Sequence, residues 1–148
     1  MWPPAVLVIA MTTLAACIVL GGAVYEALVV DPFWPKRPGI VQARNGGISR
    51  VRFWRPAHLA IEVLLAVSLV AAWGAPDVRA ALLVAAAGQA VLRIFSAVDL
   101  TPKAVVFEGA NPADVDEAAA VRWTRRSLLR LPLHVLTGAA MLSALALA

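Results

Sequence analysis

Glu26, His58, Glu62, Arg93, Arg126, Arg130 and His134 are acids, bases and cations placed inside or at the edges of long apolar runs. Such groups are costly in hydrocarbon and normally face a bundle interior or a wet cavity. Glu26 comes late in the first run, His58 and Glu62 early in the second, Gln89 and Arg93 late in the third, and Arg126, Arg130 and His134 early in the fourth. Runs that alternate in direction bring all of them to one end. His58 and Glu62 are four residues apart and share a helical face. A carboxylate beside an imidazole orients the ring for general-base work, and Glu26 is a second candidate base. Arginine keeps its charge, so Arg93, Arg126 and Arg130 suit an oxyanion or the neutralisation of Glu26 and Glu62. These six acids, bases and cations are the candidate catalytic residues. Tyr25, Trp54 and Trp123 are candidates to hold a flat substrate, with Gln89 and His134 beside them.

By ligand type, Glu26, His58, Glu62 and His134 could suit iron, manganese or copper. The Glu-x-x-His spacing of di-iron bundles is absent, and the neighbouring arginines oppose a cation. Neither His58 nor His134 stands in a pattern that marks a haem ligand. The chain has no Walker loop, G-x-G-x-x-G or G-x-S-x-G. No metal and no cofactor is expected.

The elements that must position these residues are long and greasy. Of 148 residues, 61% are hydrophobic and 15% charged, against roughly half and a quarter in a soluble domain. Apolar runs cover 3–30, 54–73, 78–98 and 118–147, each near the ~20 residues that cross a bilayer. The sequence therefore predicts an all-α, integral membrane four-helix bundle forming one domain. A basic loop, 31–53, joins the first two spans, and a connecting segment, 99–117, joins the last two. Lys36, Arg37, Arg44, Arg50, Arg52 and Arg55 follow the first span, and Lys103, Arg122, Arg125 and Arg126 lie near the 99–117 segment, against Arg79 alone on the other side. The positive-inside rule then puts both long connections in the cytoplasm and both termini outside, in a multi-pass cell-membrane protein. The net charge of +4 is explained by these loops, and no nucleic-acid partner is expected. Leu14-Ala15-Ala16-Cys17 resembles a lipoprotein cleavage box, but no Lys or Arg precedes it and the apolar run continues to Val30, so it reads as part of a first span.

The 31–53 loop, with Asn45-Gly46-Gly47 as a turn signal, reads as either a functional lid or a basic membrane-surface strap. Asn111-Pro112 predicts the start of the fourth helix, and Pro132 predicts a bend near Arg130. Gly138, Ala139, Ala140 and Ala144 are small enough to mediate helix association, including a homo-oligomer. Together the polar residues predict a closed-ended cavity lined by Glu26, His58, Glu62, Arg93 and Arg130.

The stretch from Gly22 through Tyr25-Glu26 and Asp31-Pro32-Phe33-Trp34 resembles the first-helix exit of a family of small four-span bacterial membrane proteins of unknown function. These are similar to the anthrone-oxygenase-like proteins. The resemblance continues at Phe53-Trp54 with His58, and at Arg122-Trp123 with Arg126-Ser127-Leu128 and Arg130. It implies a bacterial inner-membrane location and cofactor-independent oxygenation of polycyclic anthrones. It implicates Tyr25, Glu26, Trp34, Trp54, His58, Trp123, Arg126 and Arg130.

Three functions compete at this point. One is an oxygenase or isomerase acting on a lipophilic small molecule. Another is a non-catalytic membrane subunit or lipid-binding module. The third is a small proton-coupled transporter, disfavoured because its site belongs near the midplane.

Overall fold

The computed structural model describes residues 3–148 and is helical apart from its turns and connections. Four helices are long and apolar enough to cross a membrane: α1 (Pro4–Val30), α2 (Arg50–Ala71), α3 (Pro76–Gly109) and α4 (Glu117–Leu147). The C-terminal part of α4 packs on both α1 and α3, and α1 packs on α2, whereas α2 and α3 touch sparingly.

Local chemistry explains the boundaries. The turn after α2 contains Gly74, and Pro76 begins α3 at a position where its missing N–H is no loss, with Asp77 favourable in the first turn. The guanidinium of Arg79 donates to the carbonyl of Trp73 at 2.9 Å and lies over its ring, stapling the turn. Two stretches widen to π-helix, Glu26–Val30 at the end of α1 and Ser96–Leu100 within α3. The second precedes Pro102, whose missing donor a widened turn accommodates.

Three boundaries differ from the sequence expectation. α2 starts at Arg50 and α3 runs on to Gly109, so both reach into stretches expected to be connections. Asn111-Pro112 does not open the fourth helix. Pro112–Asp114 forms a single 3₁₀ turn, and Asp116 caps α4 by accepting from the N–H of Ala118 at 2.8 Å. The chain is irregular at Leu128 and Leu129 within α4, where Pro132 cannot donate to the carbonyl of Leu128.

Residues 31–49 pack as a plug. Gln42 is fully buried and donates to the carbonyls of Phe107 (2.7 Å) and Ala110 (3.0 Å), tying the segment to the end of α3. Gly46 takes φ +81° to turn the chain, and a side chain at Gly47 would strike the carbonyl of Gly39. Trp34, fully buried, meets Phe107 and Trp123 at ring-centroid distances of 5.4 and 5.6 Å.

Gly138, Ala140 and Ala144 are buried within the bundle, leaving Ala139 exposed. Three of these four residues are thus occupied by packing inside the chain.

Candidate functional site

The π-segment of α1 presents Glu26 to the bundle interior, where the residue is 6% exposed. Arg50 Nη1 lies 3.4 Å from Oε1, Arg130 Nη2 lies 3.6 Å from Oε2, and the indole N–H of Trp54 donates to Oε2 at 3.0 Å. Held by two guanidinium groups and an indole, Glu26 acts as a counter-ion. Arg50 also grips Glu108 through Nε (3.1 Å) and Nη2 (2.8 Å), and it lies over the rings of Trp123 and Trp34 at 4.9 and 5.5 Å. A buried guanidinium needs carboxylates and π-faces of this kind to offset its lost hydration.

Asp31, just past α1, accepts from the indole N–H of Trp34 at 3.2 Å and from the hydroxyl of Ser127 at 3.0 Å. Burial, with a smaller contribution from the charge of Glu26, pushes its carboxyl up to about 6.

On α2, Arg50, Trp54 and His58 follow at intervals of four and so line one face. The rings of Trp54, His58 and His134 are nearly parallel, with centroids 5.3 to 6.3 Å apart. Arg130 lies over the ring of Trp54 at 5.6 Å. The side-chain amide of Gln89 lies 3.3 Å from His58 Nδ1 and fixes the ring. His134 is buried, and its Nε2 has no partner among the described residues.

These groups surround a cavity of about 140 Å³. Glu26, Arg50, Trp54, His58, Ser96, Trp123 and Arg130 line its inner part, and Val51 and Val105, both exposed, stand on its rim. Arg130 is well buried, yet its hydrogen bonding among the described residues is limited to Nε donating to Ser127 O at 3.2 Å. Its terminal N–H groups are therefore underused. The Ser96 hydroxyl is also buried without a partner. Among the described residues, no group of three His, Cys, Asp or Glu side chains converges to hold a metal.

The structure gathers Glu26, His58, Arg93, Arg130, Trp54 and Trp123 around this cavity. His134 and Gln89 touch its wall through the ring cluster and His58. Others lie elsewhere. Glu62 does not pair with His58: its carboxylate turns to Arg93 Nε at 2.7 Å in a neighbouring groove. The expected cavity therefore lacks Glu62, and it is open at its rim. Arg126 is exposed and paired with Asp99 at 2.8 Å. Tyr25 is exposed and lines an outer groove between α1 and α2. Trp34 lies under Arg50, outside the cavity lining.

Arg50, Glu108 and Ser96 are central here and were not singled out from the sequence. Arg50 belongs to the ladder that Trp54 and His58 continue, but it looked like a loop charge because α2 was expected to begin at residue 54. Glu108 was hidden by the expected end of the third span.

Fold and site together define an all-α bundle of four potential membrane-crossing helices with a polar chamber at the end opposite the chain termini. Comparison with known protein families, curated proteins and solved structures yields no match.

Proposed function

We propose that this protein is a multi-pass cell-membrane enzyme that removes a proton from a lipophilic carbon acid without a bound cofactor. His58 is the base and Arg130 holds the oxyanion that forms. The observation that carries this is one cavity lined by both an imidazole and a guanidinium with spare N–H groups. With the Gln89 amide turned so that its oxygen, in place of its nitrogen, faces Nδ1–H of His58, Nε2 is left as a proton acceptor. A proton leaving the carbon puts charge on the adjoining oxygen, where a preorganised donor contributes most. Returning the proton to a different carbon completes an isomerisation. In the oxygenase branch, suggested by the anthrone-oxygenase-like resemblance, the carbanion gives two electrons to O₂ as a C–O bond forms, and the proton held by His58 completes a hydroperoxide. The resulting hydroperoxide loses water and leaves a carbonyl. The cavity is close in size to one that admits a benzene ring, about 150 Å³, so it accepts the reacting ring alone.

The basic connections favour an orientation with the chamber in the cytoplasmic leaflet and both termini outside, and labelling of cysteines introduced at Arg44 and Asp114 tests this. Catalysis is tested in lipid nanodiscs with one-ring and fused-ring carbon acids, anthrone included, following deuterium uptake from D₂O and oxygen consumption. His58→Ala is expected to lower the rate by about 10²–10⁴-fold, and Arg130→Ala to lower it as well. No turnover with any compound, or undiminished turnover in both variants, overturns the proposal.

A non-catalytic reading has one observation in its favour. Arg50, Arg130 and Arg93 are matched by Glu26, Glu108 and Glu62, as in a network that only pins helices. On that reading His58→Ala changes stability and there is no turnover to lose.

A further inference from the structure

α2 and α3 share a short turn but pack sparingly, and an open groove of about 420 Å³ lies between them. Leu65, Ala66, Leu69, Ala86 and Ala90 make it apolar, while Glu62, Gln89 and Arg93 stand at its end nearest the cavity. Two features of that end are foreign to a lipid-facing surface. The Glu62–Arg93 pair is only partly covered, with side chains 38% and 48% exposed, although both residues lie within membrane-crossing helices, where charge is expensive. Gln89 is 3% exposed, yet the end of its amide turned away from His58 has no partner among the described residues. A buried polar group left unpaired is costly, so this end of the amide calls for a partner. Arg93 lines both the groove and the cavity.

We infer that the groove seats the apolar body of an amphiphilic ligand whose polar head enters the cavity past Arg93, with a hydroxyl of that head hydrogen-bonded to the free end of the Gln89 amide. The head also covers the Glu62–Arg93 pair. This names the substrate class for the proposed reaction and rests on the cavity being its site. From Glu62 to Leu69 the groove follows about 10 Å of helix at ~1.5 Å per residue, leading away from the polar end. A chain anchored among headgroups runs the same way. A long or multi-ring molecule then fits a chamber that by itself holds one ring.

The test compares a sixteen-carbon 2-hydroxy fatty acid with its four-carbon counterpart, binding each to the detergent-solubilised protein by native mass spectrometry. Ala66→Leu and Ala90→Leu fill the groove from opposite helices at exposed positions, with Val67→Leu on the outer face as control. Thermal midpoints confirm that each variant is folded. The long acid is expected to bind at least tenfold more weakly to both groove variants, with the short acid and the control unchanged. The inference is overturned if the long acid does not bind the wild type, binds both groove variants equally well, or is weakened only in step with the short one. A wild-type dimer that Ala90→Leu dissociates also overturns it, because a second copy then fills the groove. If no compound turns over but groove filling still expels the long acid, catalysis fails and the groove stands. If one-ring substrates turn over while groove filling leaves the long acid bound, the groove fails and catalysis stands.

Discussion

The end of the bundle carrying the chain termini and the end carrying the long connections are held by different interactions. At the terminal end, Ile9, Ala16, Leu65, Leu82, Ala85, Met141 and Ala144 form a dry core. Its polar links are short and local: Thr12 and Ser68 join α1 to α2 through their hydroxyls at 2.8 Å, and Thr13 donates to Met141 O at 3.3 Å. In a bilayer the apolar effect gives helices little reason to associate, so small residues and close packing must do it. At the other end, Trp34, Leu100 and Trp123 frame buried arginines and carboxylates. Close packing tolerates exchange of one aliphatic residue for another of similar volume. A buried charge network tolerates little, because each member neutralises another.

The largest expected break in that contrast is Glu26→Ala. It leaves Arg50 and Arg130 short of a counter-ion and should cost about 3–5 kcal/mol of stability, read by denaturant or thermal unfolding in detergent. A loss under about 1 kcal/mol would mean that the carboxylate does not hold this end together. Met141→Ala, at a fully buried site in the dry core, should cost about 2–4 kcal/mol with proton-exchange rates unchanged. Slower chemistry in that variant would show the two ends to be coupled.

A titration sharpens the comparison at Asp31. Its folded-state carboxyl is raised from 3.8 to about 6, so the folded chain favours the neutral form. The associated stability is complete below pH 4, falls as pH rises, and is gone above about 6, a span worth up to roughly 3 kcal/mol. Asp31→Asn should flatten the curve of stability against pH in that window. A curve of unchanged slope would assign the dependence to another group. The smallest effect is expected at Arg126→Ala, where a half-exposed arginine loses an ion pair with Asp99. Stability should move by no more than about 0.5 kcal/mol. A large loss of turnover there would return Arg126 to the chemistry.

Four long helices were legible because twenty-odd apolar residues in a row admit few other structures, and Pro and Gly mark the tight turn near Gly74. The clustering of Glu26, His58 and Arg130 at one end was legible as well, since alternating helix directions bring those positions to the same level. Partner choice was not. Four-residue spacing puts His58 and Glu62 on one face, but a helix surface leaves each side chain free to reach a neighbour, and Arg93 and Gln89 are supplied by another helix. Arg50 and Glu108 were obscured because charge suggests a loop when no packing partner is known. Only the folded chain places a carboxylate against each of those arginines, and that neutralisation is what lets charge lie inside the bundle rather than at its ends.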